Sequence, residues 1–76
     1  MSSGKHVVLT FDSIHDVIKA EKIIVRHEIW CDLIPTPREL SSDCGMSIEC
    51  RTDDLPDLES LRESGALEWR DIYRPE

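Results

Sequence analysis

At 76 residues and 8.8 kDa, with 39% hydrophobic and 33% charged residues, the chain has the size of one domain over 1–76, too apolar for a disordered tail and too polar for a membrane protein. Nine basic side chains against sixteen acidic ones leave a net charge of -7. The excess lies in residues 38–76, with 5 basic and 11 acidic against 4 and 5 in residues 1–37, so the basic stripe that nucleic acid or an anionic membrane surface requires is missing.

The first segment, His6-Val7-Val8-Leu9-Thr10-Phe11, is short, apolar and β-branched, which predicts a central strand. What precedes it has neither a signal peptide's apolar region with a cleavage site nor a membrane span, so a cytoplasmic location is expected. Ser13-Ile14-His15-Asp16 has the form of a helix start, with Ser13 as cap and Asp16 in the positive first turn. The apolar stripe of that helix is read as Ile14, Val17, Ile18, Ile24 and Val25, with Lys19, Lys22 and Arg26 in water and Glu21 at its edge.

Ile29 to Ile34 reads as a second strand, ended by Pro35-Thr36-Pro37, and Arg38 to Cys44 as a polar loop. Gly45 to Arg51 alternates apolar and polar as a half-buried third strand does. Asp54-Leu55-Pro56-Asp57 opens a second helix with Leu58 and Leu61 inward and Gly65 as its stop. Ala66 to Arg74 is expected to be the last strand. The order β-α-β-β-α-β points to an α+β fold of ferredoxin-like type, a four-stranded antiparallel sheet with both helices on one face. Strands 1 and 2 would then run parallel about strand 3, bringing the start of the first helix, with His15, to the same end as the loop holding Cys44.

Three cysteines, Cys31, Cys44 and Cys50, cannot all pair within one chain, so at least one thiol is free for chemistry. Their spacing has no C-x-x-C knuckle, and His6, His15 and His27 do not pair at helical spacing, so no metal is expected. No phosphate loop, dinucleotide fingerprint or nucleophile elbow is found, and no cofactor is expected. If Thr36 pairs with Gly45 across the hairpin, Cys31 falls opposite Cys50, packed as thiols or bridged. A reactive cysteine needs access and partial ionisation, and Cys44 has a helix N-terminus, His15 and Arg38 to favour its thiolate, with Asp43 opposing. Gly45 is expected to leave room beside the sulfur.

The least generic stretch is Pro35-Thr36-Pro37-Arg38-Glu39-Leu40-Ser41-Ser42-Asp43-Cys44-Gly45. It resembles the P-R-E-[LI]-S-S-x-C-G loop of a family of small selenium/sulfur carrier-like proteins. The likeness extends from Thr10-Phe11 through Ser13-Ile14-His15 and Ala20-Glu21 to Ile72-Tyr73-Arg74. The resemblance implies that Cys44 carries sulfur or selenium as a persulfide or selenopersulfide; Arg38, His15, Ser41, Ser42 and Gly45 are expected to be the binding residues beside it. It also implies a donor protein, such as a cysteine desulfurase, and an acceptor, so the chain reads as a thiol carrier more than a self-contained enzyme. One departure is Glu28, which stands near the end of the first helix where many relatives have glycine.

Two other readings stay open. One is a non-catalytic interaction or regulatory module, including a homodimer, that binds through an exposed sheet face bearing Trp30, Trp69 or Tyr73. The other is a redox sensor in which Cys31 and Cys50 bridge reversibly.

Overall fold

The computed structural model describes residues 6–37 and 45–74. The elements run β1 (His6–Thr10), α1 (Ile14–Arg26), β2 (Cys31–Pro35), β3 (Met46–Arg51), a 3₁₀ turn (Thr52–Asp54), α2 (Leu55–Glu63) and β4 (Asp71–Tyr73). The result is an α+β fold: one open antiparallel sheet in the order β2-β3-β1-β4, with two helices. Both β1 and β2 pair antiparallel with β3, so they run parallel to each other on either side of it.

One core joins both helices to one face of the sheet. Val7 and Leu9 of β1, which pair with Cys50 and Ile48 of β3, meet Val17, Ala20 and Ile24 of α1 and Leu55 and Leu58 of α2. The strand period of two sends the alternate residues, His6, Val8 and Thr10 with Ser47, Glu49 and Arg51, to the other face. Val8, Thr10 and Ser47 are buried there.

The Ser13 cap forms as expected, with its hydroxyl oxygen accepting from the Asp16 amide at 3.3 Å. The stripe of α1 is rotated from the one expected. Val17, Ala20 and Ile24 are buried, whereas Ile14, Ile18 and Val25 are 52%, 46% and 54% exposed. Both flanks of this helix are apolar, and only the one that meets the sheet is covered.

Each helix ends in a Schellman motif, which satisfies two of the terminal carbonyls. In α1 the Glu28 amide donates to the Val25 carbonyl and Ile29 to Ile24; in α2 Gly65 donates to Arg62 and Ala66 to Leu61. This explains why β2 begins at Cys31 and not at Ile29: the Ile29 amide is engaged by the helix end. The motif needs a left-handed residue, supplied at φ 87° by Gly65 and at φ 60° by Glu28. A side chain is disfavoured in that conformation and glycine is not. Glu28→Gly is therefore expected to raise stability by about 0.5–1 kcal/mol, read as a higher urea midpoint at unchanged slope. A lower midpoint would mean that the Glu28 side chain stabilises the fold by more than its backbone strain.

The last strand is shorter than expected. Residues 66–70 form a connection, and only Asp71–Tyr73 pairs with β1. The Leu67 amide donates back to the Leu61 carbonyl, and Leu67 and Trp69 drop into the core. The guanidinium of Arg62 lies 4.7 Å from the centroid of the Trp69 ring.

Candidate functional site

Antiparallel pairing decides which chain ends meet. The C-terminal end of β1, the start of α1, the end of β2 at Pro35, the start of β3 at Met46 and the start of β4 at Asp71 all lie at one end of the sheet. Thr36 closes the described part of the β2–β3 hairpin, donating its amide to the Gly45 carbonyl at 2.9 Å, and its hydroxyl lies 2.7 Å from that of Ser47. His15 is in the first turn of α1 at this end, with an exposed side chain. Gly45 is exposed, and among the described residues a Cβ added to it would meet nothing within 4 Å. Close packing among the described residues therefore does not demand a glycine there. Cys44, Arg38, Ser41 and Ser42 lie outside the described residues.

Sequence reasoning missed Arg70 at the same end. Its amide donates to the Thr10 carbonyl at 2.7 Å, its Nη1 lies 3.4 Å from Asp12 Oδ1 and its Nε 3.9 Å from Asp71 Oδ2. A groove of about 140 Å³ opens beside it, floored by Phe11, Ala20 and Trp69 and edged by Asp16, Lys19 and Glu68. Placing Arg70 inside a long last strand hid this; the register of β4 on β1 is what reveals it.

The described cysteines form a pair. Cys31 and Cys50 are direct partners across β2 and β3, the register expected from the Thr36–Gly45 pairing. Both are free thiols; Cys50 is buried and Cys31 partly exposed. Burial pushes the Cys50 thiol up to about 12, helped by the neighbouring Cys31 and by the carboxylates of Asp54 and Glu49. Burial also raises Cys31, with further contributions from the charges of Glu21 and Asp32. Removing a thiolate from water and surrounding it with negative charge disfavours it, so neither cysteine is a ready nucleophile at neutral pH.

The three rings considered for a docking face separate. Trp69 is in the core, so it is not one of the rings that an exposed sheet face would present. Trp30 stacks on His6 at the far end of the sheet, with ring centroids 5.3 Å apart, and Arg51 lies 5.3 Å from the indole centroid. His6 Nδ1 is 3.3 Å from Glu49 Oε2. Tyr73 pairs with Val8 and shares that face. Among the described residues no three His, Cys, Asp or Glu side chains group as a metal site, and no helix is long and apolar enough to cross a membrane.

These features define a small α+β protein with a pair of free thiols in its sheet. Residues 6–74 match the family described as "Putative Se/S carrier protein-like", and the chain belongs to that family. No curated protein and no solved structure matches it.

Proposed function

We propose that the protein carries sulfur or selenium on Cys44, taking it from a donor such as a cysteine desulfurase and handing it to an acceptor protein. The observation that carries this reading is the contrast among the three cysteines. Cys31 and Cys50 face each other with raised thiol pKa values, and Cys44 belongs to the loop motif of a chain that matches the carrier-like family over residues 6–74.

The chemistry separates the two kinds of thiol. In loading, the Cys44 thiolate attacks the outer sulfur of the donor's persulfide, the donor's S–S bond breaks, and the donor leaves as its thiolate. Unloading repeats the step with the acceptor's thiolate attacking the outer sulfur on Cys44. A persulfide on Cys31 would face the Cys50 sulfur directly opposite, and attack by that sulfur on the inner sulfur, even if slow, would form a disulfide and expel the cargo as hydrosulfide. Storage suits the cysteine that does not belong to that pair. His15, at the positive start of α1, and the loop residues Arg38, Ser41 and Ser42 would orient and stabilise the sulfur anion.

The same reading takes the fold as the ferredoxin-like arrangement. In support are the chain order β-α-β-β-α-β, the sheet order β2-β3-β1-β4 and the single core shared by both helices. A cytoplasmic setting fits a cargo held by reduced thiols.

Loading with a cysteine desulfurase and cysteine, followed by intact-mass measurement, tests the proposal. One added sulfur per chain is expected on the wild type and on a Cys31→Ala/Cys50→Ala double variant, and none on Cys44→Ser. No addition to the wild type, or equal addition to Cys44→Ser, overturns it.

A further inference from the structure

We propose that Cys31 and Cys50 are a second thiol centre, independent of the carrier cysteine, which a peroxide closes reversibly into a disulfide within the existing sheet. The hydrogen-bond phase of the hairpin carries this. In an antiparallel ladder, opposite residues alternate between pairs that exchange both backbone hydrogen bonds and pairs that exchange none. Thr36 and Gly45 are opposite, and the Thr36 amide donates to the Gly45 carbonyl, so theirs is a hydrogen-bonded pair. Counting down the continuous register, Pro35–Met46, Leu33–Ile48 and Cys31–Cys50 are the non-bonded pairs.

Pro35 agrees with that phase. A proline has no amide hydrogen, and at a non-bonded position of an edge strand the missing donor would have pointed away from the partner. Non-bonded partners have Cα atoms roughly 4.5 Å apart with their side chains close, inside the roughly 4.4–6.8 Å span that a disulfide bridges. Both sulfurs lie on the core face, where Cys50 is buried and Cys31 packs against the core from the edge strand. The edge position is what admits an oxidant to Cys31 and not to Cys50.

The electron balance follows from that asymmetry. The Cys31 sulfur attacks one peroxide oxygen, the O–O bond breaks, and water leaves with the thiol proton, giving a sulfenic acid on Cys31. The Cys50 sulfur then attacks the Cys31 sulfur, the S–O bond breaks, and a second water leaves carrying the Cys50 proton. Two thiols have lost two electrons, and one peroxide has become two waters. The raised thiol pKa of Cys31 slows the first step and that of Cys50 the second, so closure answers sustained oxidant and not a brief pulse. Once formed, the bond ties the edge strand β2 to β3 at the end of the ladder remote from the Pro35–Met46 pair.

The test uses the folded Cys44→Ser protein and hydrogen peroxide, with alkylation to trap remaining thiols and digestion without reductant. A cross-linked Cys31–Cys50 peptide, an intact mass lower by two hydrogens, reversal by dithiothreitol and a higher melting temperature for the oxidised form are expected. The wild type should give the same peptide in preference to any pairing of Cys44. Recovery of both as alkylated thiols after prolonged exposure, or links only between chains, overturns the proposal. So does a loss of two hydrogens that persists when Cys31→Ser is added. Sulfur loading of Cys44 is read separately, so failure of either idea leaves the other standing.

Discussion

Replacing Phe11 by alanine is expected to destabilise the protein by about 3–5 kcal/mol. Phe11 leaves β1 and turns into the core, where it is 1% exposed, and its ring floors the groove between α1 and the connection to β4. Truncation removes the transfer energy of a whole ring and leaves a cavity that a helix held by its Ser13 cap cannot collapse into freely. At roughly 0.05–0.15 kcal/mol per residue, a chain of this length has only about 4–11 kcal/mol of stability in all. A urea titration should therefore show a midpoint lowered by about a quarter or more, and a loss below about 1 kcal/mol would mean that the pole repacks around the deletion.

Raising the pH is expected to weaken the fold steeply between about 9 and 12, through Cys50. The sign follows from proton counts. With the thiol pushed from 9.0 up to about 12 in the folded state, the native chain keeps a proton that the unfolded chain has lost. Stability is then whole below pH 9 and declines as pH climbs towards the folded value. Three pKa units correspond to at most about 4 kcal/mol, a large share of what a domain of this size has. Cys50→Ala should give up a little packing at every pH and flatten this decline, so the wild-type and variant curves of unfolding free energy against pH converge above pH 9. Parallel curves across that range would show that Cys50 is not the group responsible.

How much of this was legible in the chain can be judged residue by residue. The Ser13 cap, the Gly65 stop and the opposition of Cys31 to Cys50 are written in short stretches, because capping, left-handed turns and hairpin register depend on bonds between residues close in sequence. The order of elements follows from periodicity alone, and the family likeness from a loop motif that no core position requires. These the sequence by itself determined.

Other features depend on what packs against what. Ile14, Ile18 and Val25 look as apolar as Val17 and Ile24, and only the approach of the sheet leaves the first three in water. Residues 66–70 have strand-like composition, yet Leu67 and Trp69 leave the ladder because the core beside α2 takes them. Arg70 reached the pole through pairing with a strand some sixty residues earlier. Only the tertiary structure decided these, since burial is a property of two surfaces and a segment encodes just one of them.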